Sequence, residues 1–180
     1  MKIHIETERL IMRDIIDEDL HGFFAMDSDA EVHAFLGNKP IKTLEEAKAI
    51  MTSIKQQYAQ YGIGRWAVVE KESGAFIGWS GFKFITDTIN NKTNYYDLGY
   101  RFLKEYWGKG YATETAIASL NHGFEKLNFE EISGIADVKH TASNIILRKA
   151  GLIKRNEFTF DGTLHNFYSL PKTAWLQGVD

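Results

Sequence analysis

The first half of the chain changes between strand-like and helix-like patterns of apolar and polar residues. Apolar and polar positions alternate from Met1 to Asp14, which predicts an opening strand. A short helix is expected to run from Asp17, as its capping residue, to Met26. The sequence TLEE, from Thr43 to Glu46, has the form of a capping box, and apolar residues then recur at helical spacing as far as Gly62. This pattern predicts a long helix that ends at the glycine.

The middle of the chain shows the shorter alternation that is typical of strands. Arg65 to Glu70 and Phe76 to Phe84 flank the turn-forming sequence KESGA, which predicts a β-hairpin. A polar loop is expected from Thr86 to Asn94. The aromatic segment from Tyr95 to Leu103 is predicted to form the next strand.

The last third of the chain returns to a helix and then ends in strands. Apolar residues at helical spacing after a glycine-rich turn predict a helix to about Asn128, followed by a strand from Glu131 to Val138. A short helix is expected from Ala142 to Ala150. The dipeptide Asp161-Gly162 then predicts a hairpin of two strands, Ile153 to Phe160 and Leu164 to Leu170.

This order of elements predicts an α+β fold in one domain. Antiparallel strands come first, then a strand-helix-strand unit, whose crossover implies one parallel pair, and then a hairpin. We therefore expect a mixed, mostly antiparallel sheet of about seven strands, flanked by about four helices. The chain has only two prolines and no repeat or linker-like segment, so residues 1–180 are predicted to form a single domain.

Composition excludes several classes of function. The formal net charge is −3 and Lys and Arg do not cluster, so nucleic acid is not expected as a partner. The chain has no cysteine, which excludes disulfides and thiolate catalysis. The six histidines show no metal-ligand spacing, and we predict no metal site. No signal-like or membrane-spanning apolar stretch is present, so a cytoplasmic protein without membrane attachment is expected.

The sequence YWGKGYATET, from Tyr106 to Thr115, lies between a predicted strand and a predicted helix. Gly108 and Gly110 permit backbone conformations that other residues resist. The unpaired N–H groups of a helical first turn attract anions such as phosphate, and Lys109 adds a full charge. An ordinary tight turn is the alternative interpretation. Neither the P-loop pattern nor the third glycine of GxGxxG is present, so nucleotide binding is weakly supported.

The same segment resembles motif A of the GNAT superfamily of acyl-CoA-dependent N-acetyltransferases. Gly110 and Ala112 match its Gly-x-Gly/Ala end, whereas Trp107 occupies the Gln/Arg position. The longer sequence LGYRFLKEYWGKGYATET is similar to the branch of ribosomal-protein N-terminal acetyltransferases, although Lys104 stands where that branch usually has proline. ETERLIMRDI and ASNIILRKAGL extend the resemblance over nearly the whole chain. It implies a GNAT-like sheet that is splayed at the cofactor site.

The resemblance also implies which residues bind acetyl-CoA. The free strand edge at Phe102 and Leu103 would pair with the pantetheine arm, and a main-chain N–H there would polarise the acetyl carbonyl group. His140 stands at a family asparagine that contacts pantetheine, with a helix-capping role as the alternative. Backbone amides of the turn would hold the pyrophosphate: Trp107, Gly108, Lys109, Gly110, Tyr111, Ala112 and Thr113.

Catalytic candidates follow from the same resemblance. Leu147 stands where many family members have a proton-donating tyrosine, so Ser143 is the candidate for proton donation or for a hydrogen bond to the sulfur. A hydrogen bond from Ser143 to backbone at the helix terminus is the alternative. Asp97 is the candidate proton acceptor, although Tyr96 occupies the register of the superfamily glutamate. A structural or substrate-orienting carboxylate is the alternative for Asp97.

These observations predict an N-acetyltransferase that moves an acetyl group from acetyl-CoA to a primary amine within a ternary complex. A protein or peptide N-terminal α-amino group ranks first as acceptor, with a small amine close behind. Trp66 and Trp79 are expected either to line the acceptor pocket or to lie in the core. The alternatives are a non-catalytic acyl-CoA-binding domain and a nucleotide-binding module. We expect a monomer or a homodimer.

Overall fold

The computed structural model describes residues 1–178 and contains one eight-stranded sheet. Its strands follow the spatial order β1-β2-β3-β4-β5-β6-β8-β7. Neighbouring strands are antiparallel except for β5 and β6, which are parallel as predicted. The strands are β1 (Ile3–Glu6), β2 (Leu10–Arg13), β3 (Arg65–Glu70), β4 (Phe76–Ile85), β5 (Tyr95–Phe102), β6 (Glu131–Asp137), β7 (Ile153–Phe160) and β8 (Thr163–Pro171).

Helices cover both faces of this sheet, and a hydrophobic core lies between the helices and the sheet on each face. The helices are α1 (Leu20–Asp27), α2 (Leu44–Tyr61), α3 (Tyr111–Glu125), α4 (Thr141–Lys149) and α5 (Lys172–Gln177). Phe23 of α1 and Met51 of α2 pack on one face with Trp79. Leu120 of α3 and Leu147 of α4 belong to the core on the opposite face. Burial of these apolar side chains supplies most of the driving force for folding.

The N-terminal segment forms two strands rather than the single predicted one. The N–H of Thr7 donates to the carbonyl of Leu10 at 2.9 Å, which closes a tight turn between β1 and β2. Apolar residues occupy odd positions before this turn, at Ile3 and Ile5, and even positions after it, at Leu10 and Met12. The prediction of a single strand overlooked this change in the alternation. This split accounts for eight strands instead of about seven.

Two further differences concern the start of the first helix and an additional helix at the end of the chain. Asp17 does not cap the first helix, because it begins a 3-10 turn (Asp17–Asp19) that precedes α1. The carboxylate of Asp19 instead accepts from the N–H of Ile16 at 2.9 Å. The short helix α5 was not predicted, and it gives five helices rather than about four.

The local signals at α2 and at the last hairpin are confirmed. The N–H of Glu46 donates to Thr43 Oγ1 at 3.2 Å, and the N–H of Thr43 donates to Glu46 Oε2 at 2.9 Å. Gly62 ends α2 in the left-handed region, with φ of 68°. Asp161 and Gly162 have φ of 47° and 78°, as a two-residue hairpin turn requires.

The parallel strands β5 and β6 separate soon after they meet. They pair only at Tyr96 with Ile132 and at Asp97 with Ser133. Both strands then continue, β5 to Phe102 and β6 to Asp137. The splay that the family resemblance implied is therefore present, and it leaves one edge of β5 unpaired.

Candidate active site

A cavity of about 330 Å³, here called the β5–β6 cavity, lies where the two strands part. It is bounded by β5, β6 and α4, by the segment after α1, and by the turn between β7 and β8. Its polar lining includes three of the residues singled out from the sequence, Asp97, His140 and Ser143, and one that was missed, Tyr100. Strand alternation, helix position and topology thus bring the candidate catalytic residues to one cavity.

Asp97 lies on the cavity wall, whereas its neighbour Tyr96 does not. The ring of Tyr96 stacks on Phe129, with centroids 3.6 Å apart, on the side of the sheet that α3 covers. Asp97 points to the opposite face, as successive residues of a strand must. Its Oδ2 lies 3.3 Å from the Arg65 guanidinium, and Oδ1 has no hydrogen-bond partner among residues 1–178. Of these two residues, only Asp97 lines the cavity.

The environment of Asp97 makes it a better proton acceptor than an ordinary aspartate. Burial raises the pKa of Asp97 to about 6, and the nearby charges of Arg65 and Lys83 oppose only part of this rise. The carboxylate is therefore ionised at neutral pH and yet basic enough to take a proton.

Ser143 lies in the first turn of α4 and is hydrogen-bonded to Tyr100 of β5. The hydroxyl of Tyr100 lies 3.1 Å from Ser143 Oγ and 3.2 Å from the Ser143 carbonyl oxygen. Burial raises the pKa of Tyr100, so this tyrosine keeps its proton at neutral pH. Leu147 lines the same cavity one turn later and has no proton to give. Ser143 and Tyr100 are the hydroxyl groups at this wall.

The N-terminus of α4 is held by two side chains. The N–H of Ser143 donates to Nδ1 of His140 at 3.4 Å, which is the capping role that the sequence left open. Burial lowers the pKa of His140, so the ring stays neutral and Nε2 carries its proton. Asn144 donates to the carbonyls of Asp137 and His140, each at 2.9 Å, and accepts from the hydroxyl of Tyr168 at 2.6 Å. These contacts fix the position of Ser143.

The glycine turn leads directly into α3, and its geometry suits an anion. Gly108 and Gly110 have φ of 73° and 82°, and Gly110 caps α3 without any side-chain hydrogen bond. The first intrahelical bond runs from the N–H of Glu114 to the carbonyl of Gly110, at 3.0 Å. The N–H groups of Tyr111, Ala112 and Thr113 precede it and have no intrahelical partner. Their partial positive charge fits the phosphate groups of coenzyme A.

Thr7 and Arg9 of the β1–β2 turn, here called the clamp on Glu114, hold the glycine turn and the start of α3 in place. Thr7 Oγ1 donates to Glu114 Oε1 at 2.6 Å, and Arg9 Nε donates to Glu114 Oε2 at 2.7 Å. Arg9 Nη1 also donates to the carbonyl of Lys109 at 2.9 Å. Burial raises the pKa of Glu114, but the hydrogen bonds from Thr7 and Arg9 outweigh it and leave the pKa lowered. The motif ETERL thus holds the glycine turn.

Two of the expected backbone donors are already engaged. The N–H of Leu103 donates to the carbonyl of Ile77 at 3.0 Å, so it belongs to the β4–β5 ladder and not to the free edge. The N–H of Trp107 donates to the carbonyl of Lys104 at 3.1 Å, inside a 3-10 turn. Both expectations were wrong, because a sequence does not show which side of a strand or turn its N–H groups face.

The N–H of Phe102, unlike that of Leu103, faces the gap between β5 and β6. Bonds alternate sides along an antiparallel strand, so the N–H groups of Tyr100 and Phe102, which lie beyond the residues paired with β6, face the gap when that of Leu103 faces β4. The indole Nε1 of Trp107 donates to the carbonyl of Phe102 at 2.9 Å. That contact ties the glycine turn to the end of β5 and leaves the N–H of Phe102 directed at the splay.

The two tryptophans of the β3–β4 hairpin have different surroundings. Trp66 is buried on the α3 side, against Phe82 and His122. Trp79 lies on the opposite face and lines the β5–β6 cavity beneath the guanidinium of Arg65, 4.5 Å from its ring centroid. Of this pair, only Trp79 contributes to the candidate site.

Residues 1–178 contain neither a metal-binding cluster nor a membrane-spanning helix. Within that part of the chain, no group of three or more His, Cys, Asp or Glu residues is arranged to hold a metal ion. No helix there has the length and apolar composition needed to cross a membrane.

Comparison with known families decides the class of the protein. Residues 9–153 match the model of the acetyltransferase (GNAT) domain. The chain belongs to the GNAT acetyltransferase family. This GNAT protein is therefore an acyl-CoA-dependent acetyltransferase, as predicted. That the splayed sheet and the glycine turn bind its cofactor stays a prediction.

Individual relatives agree with the family and leave the branch undecided. The chain is 29% identical over 174 residues to the Bacillus subtilis protein named uncharacterized N-acetyltransferase YoaA, covering 93% of this chain and 96% of that protein. A ribosomal-protein-S5-alanine acetyltransferase from Vibrio fischeri has a TM-score of 0.76 at 18% identity, covering 97% and 99% of the two chains.

A third similar protein is a spermidine N-acetyltransferase from Vibrio cholerae, solved with coenzyme A and spermine. Its TM-score is 0.76 at 15% identity, and the alignment covers 94% of this chain and 99% of that chain. Structures this distant in sequence establish the fold alone. Membership of the ribosomal-protein branch stays a prediction.

Proposed function

We propose that this GNAT enzyme transfers the acetyl group of acetyl-CoA directly to a primary amine that binds beside Asp97. The observation that carries the proposal is that Asp97 and Ser143 line one cavity, from β5 and from α4, where the two parallel strands part. A proton acceptor and a hydroxyl group are what direct acyl transfer to an amine requires.

The donor would be held largely by main-chain groups. The N–H groups of Tyr111, Ala112 and Thr113, with those of Gly108 to Gly110, would bind its pyrophosphate, and the exposed Lys109 would add charge. The free edge of β5 would pair with the pantetheine arm, which brings the N–H of Phe102 to the acyl carbonyl oxygen. His140 Nε2 is a further donor at this wall.

The acceptor amine must lose a proton during the transfer. An α-amino group has a reference pKa of about 8, so part of it is already neutral near pH 7 and a carboxylate suffices as base. Asp97, with its pKa raised to about 6, takes that role. Acetyl-CoA supplies the activated acyl group as a thioester.

At the other side of the cavity, Ser143 would act on the leaving sulfur. Its Oγ would donate a hydrogen bond that stabilises the thiolate, and Tyr100 would orient and polarise that hydroxyl from 3.1 Å. Leu147 keeps this wall apolar, which strengthens the interaction by excluding water.

The acceptor that we rank first is the α-amino group at the N-terminus of a protein or peptide. Support comes from the resemblance of LGYRFLKEYWGKGYATET and from fold similarity to the ribosomal-protein-S5-alanine acetyltransferase. A small amine is the second candidate. The spermidine N-acetyltransferase shares the fold as well, and the β5–β6 cavity, at about 330 Å³, has the volume of a small-molecule site.

A panel of amines with detection of free coenzyme A tests the proposal. We expect turnover of peptides with free N-terminal amines, with the amine appearing as its N-acetyl product. Turnover of small amines at low concentration, with none of the peptides, would reverse the ranking. Binding of acetyl-CoA without reaction of any amine would instead favour a non-catalytic acyl-CoA-binding domain.

A further inference from the structure

A second cavity, here called the α2 cavity, lies beside the first and has no part in the steps above. Its volume is about 290 Å³, and it lies between α2 and the sheet. Its lining comes from α2 and from three adjacent strands: Ile50, Ser53, Ile54, Gln57, Arg65, Trp79, Phe82, Lys83 and Arg101.

The charges of the α2 cavity are all of one sign. Arg65, Lys83 and Arg101 line it, and no aspartate or glutamate does. The three cations share one face of the sheet, because Lys83 opposes Asp97, Arg101 opposes Trp79, and Arg65 opposes Gly81 between them. A cavity wall with three cations and no carboxylate favours an anionic ligand over a cationic one.

The two arginines are held in place from outside this cavity. Arg65 pairs with Asp97 at 3.3 Å, and Arg101 pairs with the fully buried Asp27. Both guanidinium groups lie over Trp79, at 4.5 and 5.2 Å from its ring centroid. Lys83 is exposed and makes no salt bridge within residues 1–178, so its positive charge is not neutralised. The arginines are thus preorganised, and the lysine supplies the excess charge.

The neutral polar groups of the α2 cavity also favour an anion. Gln57 Oε1 accepts from the N–H of Phe84 at 2.9 Å, which leaves the amide NH₂ of Gln57 as a donor. Ser53 adds a hydroxyl from the preceding turn of the same helix. Donors and cations therefore converge on one small volume.

The α2 cavity adjoins the β5–β6 cavity. Arg65, Trp79 and Arg101 line both. Asp97 lies directly opposite Lys83 across β5 and β4, a relation that separates Cα atoms by about 5.5 Å in a hydrogen-bonded antiparallel pair. If the amine of an acceptor reaches Asp97, a second group only a few bonds away from that amine lies close to the three cations.

We propose that the acceptor carries an anionic group, a carboxylate or a phosphate, close to its amine, and that the α2 cavity binds this group through Lys83, Arg65 and Arg101. The proposal rests on the proposed acetyltransferase function and names the class of its acceptor. A polycation such as spermidine is disfavoured, because its second amine would meet the excess positive charge of Lys83 and a cavity wall without a carboxylate.

Paired acceptors that share an amine and differ in one charge test the proposal. The probes are the amide-capped dipeptides alanyl-glutamate and alanyl-glutamine, then phosphoethanolamine and ethanolamine, with spermidine as the polycation. We expect kcat/KM to be about tenfold higher or more for the anionic member of each pair, as one charge-assisted contact gives. Lys83→Ala should collapse that preference mainly through KM, whereas Lys48→Ala, at an exposed lysine of α2 outside the cavity lining, should keep it.

The outcomes separate this proposal from the function on which it rests. Equal or better turnover of the neutral members or of spermidine would overturn the anion site and leave the acetyltransferase intact. An undiminished preference in Lys83→Ala would overturn it as well. Absence of turnover with every amine, despite acetyl-CoA binding, would overturn the proposed function and the anion site with it.

Discussion

The hydroxyl of Tyr100 on β5 lies 3.1 Å from Oγ of Ser143 on α4. This contact joins the strand that carries Asp97 to the helix that carries the candidate proton donor. Leu147, at the position where the family resemblance implied a proton-donating tyrosine, lines the same cavity. The chain thus has a tyrosine hydroxyl at this wall of the cavity, although it comes from the strand rather than from the helix.

The Tyr100–Ser143 contact predicts a graded loss of rate. Ser143→Ala should lower kcat about 100-fold, because it removes the group that acts on the leaving sulfur. Tyr100→Phe should lower kcat about tenfold by releasing the orientation of Ser143, with the affinity for acetyl-CoA unchanged. Steady-state kinetics with acetyl-CoA titrations checks both. Tyr61→Phe, at the end of α2, is the control, and a wild-type rate for Ser143→Ala would remove that residue from the mechanism.

The raised pKa of Asp97 predicts the shape of the pH profile. Asp97 accepts a proton only when ionised, so kcat/KM should fall as pH drops through about 6. The acceptor amine titrates separately, near its own pKa of about 8. A plot of log kcat/KM against pH should therefore have slope one between the two values and slope two below both.

Asp97→Asn should remove the ionisation near pH 6 from the pH profile and leave that of the amine. The variant should keep a slope of one down to acid pH, at a rate about 100-fold lower. Asp87→Asn, at an exposed aspartate in the loop before β5, should keep the wild-type profile. A wild-type profile and rate for Asp97→Asn would show that this carboxylate is structural.

Sequence motifs at helix ends and turns, together with the resemblance to the GNAT family, predicted most of the fold. The capping box of α2, the Asp161-Gly162 hairpin turn and the crossover around α3 are encoded by neighbouring residues, so the sequence displays them. The β1–β2 turn was missed because Thr7-Glu8-Arg9 lacks the residues that typify turns. The turn is also held by a hydrogen bond from Thr7 to Glu114, 107 residues away, which no local pattern shows.

The candidate site was less predictable, since it depends on contacts between distant segments. Asp97 and Ser143 were identified through the family register, but their common cavity depends on where β5 and β6 part. Tyr100 was missed because its role appears only when β5 meets α4. The one-sided charge of the α2 cavity depends on the register of three strands, which no local pattern shows.

A negative charge placed in the glycine turn tests whether this turn binds the pyrophosphate of acetyl-CoA. Gly110→Glu places a side chain and a negative charge at the N-terminus of α3, so acetyl-CoA affinity should fall about tenfold or more. Gly74→Glu is the matched control, because Gly74 also has a positive φ, of 70°, but lies in the β3–β4 turn. Isothermal titration calorimetry measures both, and equal affinities in the two variants would refute the pyrophosphate assignment.

The clamp on Glu114 should support both stability and binding. Glu114→Gln weakens its hydrogen bonds with Arg9 and Thr7, so the free energy of unfolding should fall by about 1 kcal/mol. Because Arg9 also holds the carbonyl of Lys109, acetyl-CoA affinity should weaken with it. Urea unfolding and calorimetry test the two effects. Glu125→Gln, exposed on the same helix, should change neither quantity.

Initial rates over a matrix of acetyl-CoA and amine concentrations test the central claim most directly. The amine is a peptide with a free N-terminus, and the N-acetyl product is identified by mass spectrometry. The account predicts equal amounts of N-acetyl product and free coenzyme A, with intersecting lines in double-reciprocal plots, as direct transfer in a ternary complex requires. Saturable binding of acetyl-CoA with no N-acetyl product from any amine would contradict it.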